Sequence, residues 1–91
     1  MKIFIPTPLR VYAAGKDAHE VNAATVSGAL EELTRTFPDL RKHLFTSDGK
    51  LRAFVNVYLN DEDVRYLPAK EETSVSATDT LSIIPSIAGG D

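Results

Sequence analysis

The residues best suited to chemistry in this chain stand at its end, in the stretch SIAGGD, residues 86–91. After Pro85, residues 86–90 would span about 17 Å when fully extended, at roughly 3.3–3.6 Å per residue. Gly89 and Gly90 lack a Cβ atom, so they can pass a narrow channel and leave the carbonyl group of Gly90 uncrowded. Such a segment could carry a backbone carboxyl group into another protein's active site. The alternative is a frayed end, because chain termini are commonly disordered.

The other side chains that could take part in chemistry give weaker indications of a catalytic or metal site. The chain has no cysteine, which removes thiolate catalysis, disulfides and cysteine-based metal sites. His19 and His43 are far apart in the sequence and have no ligand-spaced partner, so no metal site is predicted. The serines and threonines of residues 74–78 have no paired base, so nucleophilic catalysis has no support.

Length, composition and charge limit the classes of protein to which the chain could belong. With 91 residues, 43% of them apolar and 25% charged, the chain predicts one small domain that is too small for a deep catalytic cleft. The net charge is −3 and the lysines and arginines are scattered, which argues against a nucleic-acid partner. No stretch approaches the roughly 20 apolar residues of a membrane span. The lack of cysteine fits a cytoplasmic location.

Alternating apolar residues predict the strands that must position this tail. Residues 1–5 form a first strand ended by prolines, and residues 19–23 pair back on it across a turn. Residues 51–60 and 80–85 are two further strands. Residues 65–67 are predicted to be a short strand after an acidic turn.

The clearest helix lies between the first hairpin and the third strand. Thr25 is a suitable N-cap, and Pro38 ends the helix. One apolar stripe at helical spacing would face the core: Val26, Leu30, Leu33 and Phe37. The order of elements predicts an α+β, ubiquitin-like β-grasp fold over residues 1–85. A mixed sheet of four to five strands would pack on one main helix, and residues 86–91 would form a flexible diglycine tail.

Three features then coincide: the β-grasp order, a last strand that runs into the diglycine as IIPSIAGG, and a middle strand that ends in YLNDEDV. Together they resemble the MoaD/ThiS-like family of ubiquitin-like sulfur-carrier proteins. The resemblance covers essentially the whole chain. The stretch FVNVYLNDEDVRYL is most similar to the branch that carries sulfur for cysteine biosynthesis.

The resemblance implies a protein co-substrate rather than an enzyme. An E1-like adenylyltransferase would use ATP to adenylate the terminal carboxyl group of Gly90. Sulfide or a persulfide would then displace AMP and leave a thiocarboxylate. The sulfur acceptor would be a cysteine synthase-like enzyme, or else a molybdopterin synthase large subunit or an enzyme of thiamine synthesis. The carrier itself is expected to bind no cofactor.

Asp91 departs from the family pattern, because active carriers end at the second glycine. If the α-carboxyl group of Asp91 were adenylated, its own β-carboxylate could attack, close a cyclic anhydride and waste the activation. The hypothesis is that a metal-dependent peptidase removes Asp91 and exposes Gly90. The alternative is that Asp91 is an artificial or tolerated addition.

The open face of the sheet is the predicted partner surface. Side chains of the parity opposite to the core lie there: Phe4, Phe54, Tyr58 and Ile84, with Asn56 among them. An exposed patch with several aromatic residues typically marks a protein interface. Ile87 would dock in an apolar notch near the mouth of the partner's channel, and Ala88 would follow it. The alternative is that these residues pack under loops such as residues 68–78.

Two further functions stay open from the residues. A ubiquitin-like covalent modifier would use the same activated diglycine to form isopeptide bonds with lysines. A plain binding domain would leave the tail idle, and it would work normally without residues 89–91.

Overall fold

Five strands form one mixed sheet in the computed structural model, which describes residues 1–85. The strands are β1 (Lys2–Phe4), β2 (Ala18–Glu20), β3 (Val55–Leu59), β4 (Glu62–Asp63) and β5 (Thr80–Pro85). Their order in the sheet is β2-β1-β5-β3-β4. β1 and β5 are parallel, and the other neighbouring pairs are antiparallel. The last strand of the chain is therefore the central strand of the sheet.

Helix α1 (Val26–Thr36) crosses one face of this sheet. The Thr25 hydroxyl oxygen accepts a hydrogen bond from the backbone N–H of Gly28 at 3.0 Å, which is the N-cap bond that the sequence predicts. The buried side chains of α1 are those of Val26, Ala29, Leu30, Leu33 and Thr34. Three members of the predicted stripe are thus in the core. The fourth, Phe37, is the C-cap residue and is only partly buried.

Short helices occupy two segments that were predicted to be connections. A 3-10 helix at Thr7–Ala13 lies between β1 and β2. A second 3-10 helix (Pro38–Leu40) leads directly into the short helix α2 (Arg41–Leu44), between the predicted helix end at Pro38 and the predicted strand at residues 51–60. Leu40 and Leu44 are fully buried, so this connection contributes to the core.

The short strand predicted at residues 65–67 is wrong. The structure instead has the two-residue strand β4 in the predicted acidic turn, followed by a 3-10 helix at Val64–Tyr66. The Asp63 carboxylate accepts a hydrogen bond from the backbone N–H of Arg65 at 2.9 Å and so caps this 3-10 helix. A further 3-10 helix lies at Lys70–Glu72, inside the predicted loop of residues 68–78.

The core lies between the inner face of the sheet and the helices. The strands contribute Ile3, Val55, Val57, Leu81 and Ile83, and the helices add mainly leucines and alanines. No helix within residues 1–85 is long and apolar enough to cross a membrane.

Candidate functional site

The sheet has a second face that α1 and α2 leave uncovered. Along β5, Leu81 and Ile83 are buried, whereas Ile84 is 47% exposed. In β1, Ile3 is buried and Phe4 is 44% exposed. Because successive side chains of a strand point to opposite faces of the sheet, the apolar residues of β1 and β5 are divided between the core and this outer face.

The strand register brings the predicted partner-binding residues together. Phe4 pairs with Ser82 in β5, and Ser82 pairs with Tyr58 in β3. Since neighbouring strands lie about 4.8 Å apart, the backbones of Phe4 and Tyr58 are separated by about 10 Å across the sheet. Ile84 pairs with Asn56, two residues along each strand from the Ser82–Tyr58 pair and on the same face. We call Phe4, Tyr58 and Ile84 the outer-face patch; Tyr58 is half-buried in it.

Phe54 lies in the turn that precedes β3 rather than in the predicted strand, and its side chain is 48% exposed. The next residue, Val55, pairs with Pro85, which is the last described residue. Phe54 is therefore next to the end of the ladder at which the chain leaves β5. Its large exposed ring extends the apolar surface toward the base of the tail.

Arg65 holds the turn that presents Phe54. Its guanidinium group donates to the side-chain oxygen of Asn56 and to the carbonyl oxygens of Arg52 and Val55, each at 2.8 Å. These carbonyl groups flank the turn on both sides. Arginine presents its donors in a rigid planar fork that can reach acceptors fixed at separate positions, whereas the donors of a lysine ammonium group all radiate from one compact point charge.

The opposite end of β5 is fixed by a small polar network. The backbone N–H of Ser76 and the side-chain amide of Asn60 both donate to the carboxylate of Asp79, at 2.8 and 3.2 Å. These bonds, the Ser76 bond first, hold the pKa of Asp79 below its usual value. Asn60 also accepts a hydrogen bond from the backbone N–H of Thr80 at 3.2 Å. This network has a structural role at the start of the central strand.

The proposed reactive end of the chain lies outside the described residues. This holds for Gly89 and Gly90, for the predicted docking residues Ile87 and Ala88, and for Asp91. Their roles remain predictions.

Comparison with known proteins settles the family. The family model described as "ThiS family" matches residues 3–90. The chain belongs to the ThiS family. It is homologous to the sulfur carrier protein CysO of Mycobacterium tuberculosis, with 33% identity over 90 residues, covering 97% of this chain and 96% of that protein.

Solved structures support the same relationship. A chain in the crystal structure of the Amycolatopsis orientalis BexX/CysO complex is similar with a TM-score of 0.86 and 37% identity, and the match covers 98% of both chains. The crystal structure of SAMP1 from Haloferax volcanii is similar with a TM-score of 0.84 and 30% identity, covering 99% of this chain and 98% of that chain. The predicted β-grasp fold and the predicted family are therefore confirmed.

The extent of the family match bears on the tail of this ThiS-family chain. The match runs through Gly89 and Gly90 and stops before Asp91. The diglycine therefore falls inside the family pattern, and the aspartate falls outside it.

The two histidines of this ThiS-family chain have packing partners. The His19 ring meets Phe37 edge to face at a centroid distance of 5.1 Å, and the His43 ring stacks on Tyr12 at 4.0 Å. Residues 1–85 hold no cluster of three or more side chains of the types that bind metals.

Sequence reasoning missed three features of the described residues. The bonds of Arg65 join residues about ten positions apart, and no local pattern signals them. Val11 is 76% exposed and Tyr66 is 87% exposed, both in 3-10 helices that the sequence did not indicate.

Proposed function

We propose that this chain is a sulfur carrier, a protein co-substrate that other enzymes load and unload. The carboxylate of Gly90 attacks the α-phosphate of ATP in an E1-like adenylyltransferase and releases pyrophosphate. Sulfide then attacks the acyl-adenylate and expels AMP; where a persulfide is the donor, the first product is an acyl disulfide, and a second thiol cleaves its S–S bond and becomes the disulfide. The product is a thiocarboxylate, in which one oxygen of the terminal carboxyl group is replaced by sulfur.

The observation that carries this proposal is the nearly full-length match to the ThiS family, with the diglycine inside it. The similarity to proteins named as sulfur carriers covers 97% of this chain. The fold adds a physical reason, because residue 86 directly follows the central strand of the sheet. A tail attached there starts from the best-supported part of the molecule.

The similarity to CysO favours cysteine synthesis as the destination of the sulfur. The acceptor would then be a cysteine synthase-like enzyme. Molybdopterin synthase or an enzyme of thiamine synthesis is the alternative, because those carriers share the same terminal chemistry.

Partners would dock on the outer-face patch together with Phe54. The exposed rings and Ile84 provide apolar area that a partner can bury, and they lead toward the base of the tail. Ile87 and Ala88 would continue this contact into the partner's channel. The body would then stay outside while the diglycine enters.

The decisive experiment measures the intact mass of the chain after incubation with an E1-like adenylyltransferase, ATP and sulfide. Two forms are compared, one that ends at Gly90 and one that retains Asp91. We expect the form ending at Gly90 to gain the mass of one oxygen-to-sulfur exchange and the longer form to stay unchanged. If neither form gains sulfur, the carrier function is wrong. If the longer form gains it equally, the processing hypothesis for Asp91 is wrong.

Removal of Asp91 in the native host requires a peptidase, which we propose to be metal-dependent. A chelator added to a host extract should then preserve the longer form, as read by intact mass. Cleavage that continues in the presence of chelator would contradict the metal requirement.

A docking test uses Ile84→Asp with Val11→Asp as its matched control. Both side chains are exposed, so both variants should keep the fold, but only Ile84 lies on the outer-face patch. We expect Ile84→Asp to reduce the rate of adenylation at least tenfold and Val11→Asp to leave it unchanged. Equal rates for both variants would remove the outer face from the docking surface. Unfolding of Ile84→Asp, read by circular dichroism, would instead show a core role.

The similarity to the small archaeal modifier protein SAMP1 supports a second candidate, covalent attachment to lysines. Incubation of the form ending at Gly90 with ATP and host lysate separates the two functions. A sulfur-for-oxygen mass gain supports the carrier, and high-mass conjugates containing isopeptide bonds support the modifier.

A further inference from the structure

A basic groove lies apart from the outer-face patch. It has a volume of about 390 Å³ and is bounded by Pro38, by α2 and by Arg52. Three cations line it, Arg41, Lys42 and Arg52, against one carboxylate, Asp39. The chain as a whole carries a net charge of −3, so the groove has the opposite sign to the molecule. A local reversal of this kind selects for an acidic ligand.

Arg52 is held in place at the wall of the groove. Its Nε atom donates to the carbonyl oxygen of Lys42 at 2.9 Å, and its backbone N–H donates to the carbonyl oxygen of Leu44, also at 2.9 Å. Among the bonds formed within residues 1–85, the side chain of Arg52 is engaged only through Nε. Its two terminal nitrogen atoms are therefore available to an acceptor in the groove.

The other cations lie on α2. The Arg41 guanidinium group is 5.4 Å from the centre of the Phe45 ring, and its nearest carboxylate oxygen, on Glu31, is 3.8 Å away. That distance makes a weak and exposed ion pair. Lys42 is exposed beside it. The groove thus combines cations with an aromatic wall, which suits a peptide better than a bare ion because the ring offers area for side chains.

One wall of the groove lies close in the chain to the candidate docking surface. Arg52 is two residues from Phe54: Arg52 flanks the turn that Arg65 holds, and Phe54 lies within it. A partner bound at Phe54 would therefore bring its own surface close to the groove. Charged contacts at the edge of an apolar interface favour the correct partner and speed association.

We propose that this groove binds an acidic segment of the partner protein that takes up the tail, as a second contact beside the outer-face patch. The proposal rests on the proposed function. The recognised chemistry is a run of carboxylate side chains on a peptide. Cations contributed by α2 and by the segment before β3 would contact successive carboxylates.

The test titrates the ¹⁵N-labelled full chain with an acetylated hexaglutamate peptide and follows the backbone amide signals. Separate titrations use inorganic phosphate and sodium chloride at matched ionic strength. We expect the peptide to shift signals of residues 38–52 specifically. Lys42→Glu/Arg52→Glu should weaken this binding by roughly tenfold, because each exposed ion pair contributes about a factor of two to five. Lys16→Glu, an exposed cation that does not line the groove, is the control and should bind as the wild type does.

Each other outcome overturns the proposal. No localised shift, or equal binding by the double variant and the wild type, removes the groove as a peptide site. Phosphate that produces the same shifts at similar concentration would make it a small-anion site only. The titration needs no thiocarboxylate, so its failure is distinct from a failure of sulfur loading.

Discussion

Arg65 should carry an unusual share of this small domain's stability. In Arg65→Met, the aliphatic length is kept while three hydrogen bonds are lost, to Asn56, Arg52 and Val55. A hydrogen bond contributes about 0.5–1.5 kcal/mol net, and one to a charged group about 1.5–3. The three bonds are partly exposed and share one donor group, so they do not add fully. We expect the free energy of unfolding to fall by about 2–4 kcal/mol.

Urea unfolding followed by circular dichroism measures this loss. Arg35→Met is the matched control, since Arg35 is exposed on α1, and it should change the free energy of unfolding by no more than about 0.5 kcal/mol. Arg65→Lys keeps the charge but loses the fork, so its stability should lie between those of the wild type and Arg65→Met. A loss for Arg65→Met no larger than that for Arg35→Met would refute the reasoning, as would wild-type stability in Arg65→Lys.

Two further predictions concern local bonds. Thr25→Ala removes the N-cap bond to Gly28 and should lower the free energy of unfolding by about 1 kcal/mol, whereas Thr25→Ser should restore most of it. The pKa of Asp79 is lowered by the Ser76 N–H and by Asn60, so its contribution to stability is complete above the unfolded-state pKa of about 3.9 and is lost as the pH falls through the lower folded-state pKa. Between pH 6 and about pH 2, the free energy of unfolding should therefore fall less steeply with decreasing pH in Asp79→Asn than in the wild type. An identical slope in the two proteins would contradict this.

The parts of the fold that follow a regular period could be predicted from the sequence. Helix α1 has three stripe residues at helical spacing, and all three are buried. The division of β5 between Leu81 and Ile83 inside and Ile84 outside follows from a period of two. The residues of the outer-face patch could be predicted because they have the opposite parity to the buried residues of the same strands.

The short elements could not be predicted in the same way. Strand β4 has two residues, too few to show alternation, and the 3-10 helix after it lies where a strand was expected. The spacing of Leu40 and Leu44, four residues apart and both fully buried, is a helical signal that the polar neighbours of α2 obscured. The contacts of Arg65 are set by tertiary structure alone.

The position of β5 connects the two parts of the proposed function, which are docking of a partner on the outer face and presentation of the diglycine. The strand is paired on both sides, with β1 and with β3, while Leu81 and Ile83 anchor it in the core. Opening it would require breaking two ladders and exposing buried side chains, so it belongs to the most stable part of the sheet. Ile84 lies on the outer face of this same strand, directly before the last described residue. A partner that contacted Ile84 would therefore hold the chain directly before residue 86 through a rigid element. Because that element is already ordered, the contact would cost little conformational entropy.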